Sequence, residues 1–183
     1  VDYPGKRVLG VIRPIAEVIG KFSKSKHIGV LATEGTVNSN SYGLEIQKFF
    51  PEFIVHQHAC PLWVPLVENN EYNSNEGKGF IKKDIEKLLA KSPDIDTVIL
   101  GCTHYPIIQH IIEGFLPPNI KVLSQGPIVA SSLMQYLLRH TWLVKKLSKK
   151  QQIHFLTTES TIEFDINAKR ILGLDIQSEH ITL

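Results

Sequence analysis

Short β-branched runs alternate along the chain with longer stretches whose apolar residues recur every three to four positions, the pattern of βα units closing a parallel sheet. Val8–Ile12 reads as a first strand, and Pro14 opens a helix carrying Ile15, Val18, Ile19 and Phe22. Ile28–Ala32 is a second strand, followed by Thr33-Glu34-Gly35-Thr36 and a helix with Tyr42, Leu44, Ile46, Phe49 and Phe50 that Pro51 closes. Phe53–His58 is a third strand. After it, Cys60–Glu68 holds Pro61 and Pro65, which bar a central-strand ladder and predict a loop with an apolar anchor. The Asn-rich stretch 69–75 leads into a helix bearing Phe80, Ile81, Ile85, Leu88 and Leu89, then a strand at Asp96–Gly101. Gly101–Tyr105 is a tight turn into a helix with Pro106 at its first position and Ile107, Ile108, Ile111, Ile112 and Phe115 behind it. A strand at 120–124, a helix at Gly126–Arg139, a solvated basic connector at Lys145–Lys150, a last buried strand at Ile153–Thr157, a helix at Thr161–Leu172 and an apolar tail at Ile181–Leu183 complete the pattern. A doubly wound α/β fold follows.

Composition narrows the function. With 20 Lys+Arg against 18 Asp+Glu the net charge is +2, too small for a chain whose work is neutralising phosphates, so nucleic acid is not expected as a partner. Two cysteines make no disulfide framework, and no leader pattern is present, so a reducing cytoplasmic location is expected. No apolar run approaches the roughly twenty residues of a membrane-spanning helix.

In open parallel sheets ligands bind beyond the carboxyl ends of the strands, where loops diverge and unpaired N–H groups face outward. Three such places are polar or ionisable: Thr33–Thr36, the loop ending at Glu68, and Cys102–His104. A thiol between strand and helix sits where the helix dipole favours thiolate, although a free cysteine is equally a small buried hydrophobe. His104 can exchange a proton with that thiol or with a substrate. Thr103 offers a hydroxyl and an N–H to a carboxylate. Thr33 and Thr36 repeat the theme, unless Thr36 merely caps a helix. Glu68 is either a surface carboxylate or a grip for a ligand ammonium. His56, His58 and Cys60 alternate and would share one face of a continuous strand, as zinc ligands can; no second ligand pair lies elsewhere, and no metal is expected.

Ile99-Leu100-Gly101-Cys102-Thr103-His104-Tyr105-Pro106 resembles the C-terminal active-site motif of the bacterial glutamate racemases. Gly29–Val37 with Ser39 and Tyr42, and Ala59–Glu68, follow the family in the same order, as do Leu172-Gly173 and Glu179-His180-Ile181. The resemblance implies a cofactor-free racemase that interconverts L- and D-glutamate for peptidoglycan, using two cysteines on opposite faces of the substrate. It implies Cys102 and His104 as catalytic residues and Thr33, Thr36, Glu68, Thr103 and His104 as substrate contacts, with Cys60 outside the catalytic pair. It further implies a parallel-sheet racemase-like fold in which 1–13 ends a first, incomplete domain, 14–123 is a central α/β domain carrying Cys102, and 124–183 returns to the first domain. On that comparison the chain starts downstream of the family's Cys-Asn-Thr motif, so one catalytic half-site, no racemisation by the chain alone, and an uncovered apolar face on 126–139 and 153–157 are expected. The expected partners are glutamate and a second copy of the chain. An aspartate racemase of the same superfamily, a non-catalytic ligand-binding fragment and a zinc-binding domain are the alternatives.

Overall fold

A computed structural model describes residues 9–149 and 152–182; Val8, Lys150 and Leu183, at which three of the expected segments begin or end, lie outside them. The chain divides into two compact units, the first reaching Tyr136 and the second beginning at Leu137.

The first unit opens on α1 (Ile12–Val18), extended by a 3-10 turn over Ile19–Lys21. The strand expected over 8–12 is absent between Leu9 and Ile12. Ile12 and Arg13 instead form the helical turn ahead of Pro14, whose missing N–H would have no intrahelical partner there anyway. The elements that follow are β1 (His27–Ala32), α2 (Glu34–Asn38), α3 (Ser41–Phe49), β2 (Ile54–Ala59), α4 (Trp63–Glu68), α5 (Asn75–Leu89), β3 (Thr97–Leu100), α6 (Gln109–Phe115) and β4 (Lys121–Ser124). Helix α7 (Gln125–Arg139) runs on from β4.

The four strands form one parallel sheet in the order β2-β1-β3-β4. Alternation along β1 and β3 sorts their side chains to two faces. Ile28, Val30, Ala32 and Ile99 join Ile15, Ile19, Tyr42, Ile46 and Phe53 on the face covered by α1 and α3. Leu31, Val98 and Leu100 join Trp63, Ile81, Ile85, Leu88, Ile111 and Ile112 on the face covered by α4, α5 and α6. The two layers follow from the connections: the chain leaves β1 for β2 on one side and returns to β3 on the other, and crossovers of one hand then place their helices on opposite faces. Phe80, expected on the apolar side of α5, is 44% exposed; the buried stripe runs through Gly77, Ile81, Asp84, Ile85 and Leu88.

The second unit holds α8 (Thr141–Val144), which lies just ahead of the basic connector, then β5 (Phe155–Thr157), α9 (Thr161–Leu172) and β6 (Ser178–His180). Strands β5 and β6 pair in parallel across α9. The side chain of Ser160 accepts from the N–H of Glu163 at the start of α9, and Gly173, with φ +68°, closes it through its N–H to the Lys169 carbonyl. The strand expected to be buried is not. Ile153 lies outside it at 76% exposure and Leu156 within it is 48% exposed, because the sheet has two strands and, among the unit's described residues, no cover over these side chains. Met134 and Leu138 on α7 are also exposed.

One carboxylate ties the entrance of β1 to that of β3. Asp96 Oδ2 accepts the N–H groups of Lys24 at 2.7 Å and Ser25 at 2.8 Å, and its Oδ1 accepts the Thr97 hydroxyl at 3.0 Å. Burial opposes the charge, but these donors and Ser23 outweigh it and hold the carboxyl at about 2. A carboxylate depressed in the fold stabilises it above its unfolded pKa and ceases to as pH falls through the folded value. Asp96→Asn should therefore cost about 1 kcal/mol at neutral pH, and the deficit should vanish between about pH 4 and about pH 2, as read from urea midpoints of the two chains. A pH-independent deficit would refute this.

Candidate active site

Leu31 of β1 lies opposite Leu100 of β3, so the segments that follow these strands emerge side by side, Thr33 from one and Cys102 from the other. Strand order reverses between β1 and β3, the place at which open parallel sheets take their ligands.

The turn after β3 is pinned from three directions. The Gly101 N–H donates to the Leu31 carbonyl at 2.8 Å. A Cβ at Gly101 would meet Ala32 Cβ at 2.9 Å, the Tyr42 ring at 3.1 Å and the Leu31 carbonyl oxygen at 3.2 Å, so only glycine lets the backbone pass. Tyr42 is fully buried, and the side-chain amide of Gln125 donates to its hydroxyl. Burial, and secondarily the neighbouring Cys102, pushes that phenol far above its ordinary range.

Cys102, partly buried, leans on the cluster that holds Trp63 and Tyr105. Helix formation begins later than the sequence suggested. Residues 102–104 form a bend and a turn, Tyr105–Ile108 is a 3-10 turn with Pro106 near its start, and α6 begins only at Gln109. No helix end therefore lies at Cys102, and the group beside its sulfur is His104. His104 Nε2 stands 3.1 Å from Glu68 Oε1 and Nδ1 stands 3.8 Å from Cys102 Sγ. Because a carboxylate only accepts, Nε2 donates to Glu68, and Nδ1 is the ring nitrogen that faces the Cys102 sulfur. Sulfur, imidazole and carboxylate thus lie in one chain of contacts.

The segment expected as a loop supplies the last member. Pro61 sits in the turn after β2 and Pro65 at the third position of α4, where a missing N–H is harmless, so the prolines start a helix instead of preventing one. Helix α4 ends on Glu68. Trp63 anchors it: its ring packs on Tyr105 with centroids 4.8 Å apart, and its indole N–H donates to Asp84 Oδ2 at 3.0 Å. The Tyr105 hydroxyl donates to the Cys60 carbonyl at 3.1 Å, joining this helix to the Cys102 turn.

Thr33 and Thr36 face each other, hydroxyl to hydroxyl, at 3.1 Å. The capping alternative for Thr36 fails. It lies inside α2, and Asn40 precedes α3 with φ +49° and no side-chain cap. Thr103 is exposed on the turn. Cys60 is fully buried, its thiol pushed far up by burial and then by Asp84, and its S–H points to the His58 carbonyl at 3.8 Å. The alternating trio of His56, His58 and Cys60 does not assemble. His56 Nε2 turns to His27 Nδ1 at 3.1 Å, whereas His58 Nε2 meets Asp84 Oδ1 at 3.0 Å. Asp84 escaped notice in the sequence; the sign of it was an acid between Ile81, Ile85 and Leu88 on the buried stripe of α5.

A family model described as Asp/Glu/Hydantoin racemase matches residues 5–132. A curated glutamate racemase of Lactiplantibacillus plantarum is 34% identical over 177 residues, which are 96% of this chain and 64% of the relative. The chain thus spans somewhat less than two thirds of that relative's length. A solved glutamate racemase isoform of Bacillus anthracis superposes with a TM-score of 0.88 at 32% identity, covering 100% of this chain and 67% of the other. A glutamate racemase of Francisella tularensis, solved in complex with D-glutamate, gives 0.77 at 26% identity over 94% and 62%. Among the described residues no helix is long and apolar enough to cross a membrane.

Gly101→Ala should destabilise the chain by about 1–3 kcal/mol, since two of the three atoms that crowd the new methyl are on the sheet and the third is on a buried ring. Urea unfolding measures the loss, and a neutral substitution would show that the turn is not held as described.

Proposed function

The chain belongs to the Asp/Glu/hydantoin racemase family, and from that premise we propose that it supplies the Cys102 half of a cofactor-independent glutamate racemase that provides the D-isomer for peptidoglycan. The observation that carries this is the Cys102–His104–Glu68 relay beyond the paired ends of β1 and β3. His104 Nδ1 takes the thiol proton, and Glu68 steadies the resulting imidazolium. The thiolate then removes the α-hydrogen: an S–H bond forms, the Cα–H bond breaks, and its electron pair passes into the α-carboxylate. Thr33, Thr36 and Thr103 present hydroxyls for the substrate's carboxylates, where charge grows as the bond breaks.

Inversion requires a second acid on the opposite face of the α-carbon. Cys60 is not that acid, because its thiol is enclosed in the core and bound to a carbonyl. Relatives named glutamate racemase, and a related structure holding D-glutamate, favour glutamate over aspartate. A cytoplasmic location fits two unpaired thiols, and a homodimer fits the exposed apolar side chains of α7 and β5.

In deuterium oxide the 183-residue chain should exchange the α-hydrogen of one glutamate enantiomer without racemising it. Cys102→Ala should abolish the exchange, and Glu68→Gln should slow it by about tenfold or more. Proton NMR of each isomer checks both. No exchange with either isomer, or exchange that survives Cys102→Ala, would overturn the assignment.

A further inference from the structure

A second group of reactive side chains lies under the end of β2 and takes no part in the relay. The ligating atoms of His58, Cys60 and Asp84 all lie within 4.8 Å of one another. We propose that these three residues form a site for a soft divalent cation of the zinc class.

The donor set is one imidazole nitrogen, one sulfur and one carboxylate oxygen, which zinc accepts together. With bonds of about 2.0–2.1 Å to nitrogen and oxygen and about 2.3 Å to sulfur, tetrahedral ligands stand roughly 3.3–3.8 Å apart. His58 Nε2 and Asp84 Oδ1 are 3.0 Å apart, so a cation needs them to part by a few tenths of an ångström while the sulfur draws in. The backbone under them is fixed. The Cys60 N–H donates to the Ala32 carbonyl at 2.8 Å, continuing the ladder that pairs His58 with Leu31.

Asp84 is also aimed from outside. Its other oxygen accepts the Trp63 indole N–H at 3.0 Å, the kind of outer hydrogen bond that orients a metal-binding carboxylate. Without a cation the same atoms are joined through protons: His58 pairs with Asp84, and the Cys60 thiol points to the His58 carbonyl. A divalent ion would replace the proton between His58 and Asp84 and the proton on sulfur.

Asp84 lines a cleft of about 310 Å³ together with Ala59, Pro61 and Lys83. Lys87, also on that cleft, holds its ammonium 3.6 Å from Asp84 Oδ1, but its side chain is 52% exposed and can swing into solvent.

Cobalt(II) added to the chelator-stripped chain provides the test. One equivalent should bind with the intense visible bands of a tetrahedral site and a thiolate-to-cobalt charge-transfer band, both displaced by zinc. Cys102→Ser should keep that band, since Cys60 is then the only thiol in the sequence, and Cys60→Ser should lose it. Trp63→Phe should weaken binding by about 10–100-fold. Absence of the band from Cys102→Ser overturns the site even if Cys60→Ser does not fold, as does a band that survives Cys60→Ser.

Discussion

The parallel pairing of β1 with β3 is the constraint on which the remaining geometry depends. Sheet order reverses there, so the loops that leave these strands, at Thr33 and at Cys102, belong to helices on opposite faces and diverge. Close approach makes the pairing useful. Gly101 hydrogen-bonds to Leu31 and lies against Ala32 and Tyr42 with no space for a side chain, so the sulfur that follows is placed by the sheet rather than by a mobile loop. On the function proposed above, a sulfur set by strand register is held with the tolerance of a core, which proton transfer at carbon requires.

The core carries different chemistry on its two faces. The α1 and α3 face is aliphatic and aromatic, and Tyr42 is the residue there whose polar atom reaches a partner. The other face embeds a hydrogen-bonded group, with Asp84 accepting from Trp63 and paired with His58, and Tyr105 donating to Cys60. Buried polar groups cost several kcal/mol if left unpaired, so each of these bonds is also a positional restraint. Its beneficiary is α4. That short helix has no side-chain cap, and Trp63 gives it a fixed berth from which its last residue, Glu68, meets His104.

Much of the fold was legible along the chain. Strands at Ile28–Ala32 and 120–124, the helix at Thr161–Leu172, and the turn beginning at Gly101 are encoded by short-range periodicity, by glycine and by proline placement, and the structure has them within a residue or so. Reading failed where one signal had two outcomes. Pro61 and Pro65 exclude a strand, but they are compatible with either a loop or the first turn of a helix, and packing of Trp63 on Tyr105 chose the helix. Ile153–Leu156 has the composition of a buried strand, but composition does not say what lies above it.

The order of residues alone thus determined the alternating elements, the three polar strand ends and the sulfur, imidazole and carboxylate that stand at two of them, because each is written in neighbours a few positions apart. Tertiary structure alone decided which of them meet. His56 and His58 are two residues apart yet turn to different partners, while Glu68 and His104 are distant in sequence yet 3.1 Å apart. Such meetings arise from strand register and from helices packed across a sheet, contacts between residues tens of positions apart that no local pattern records.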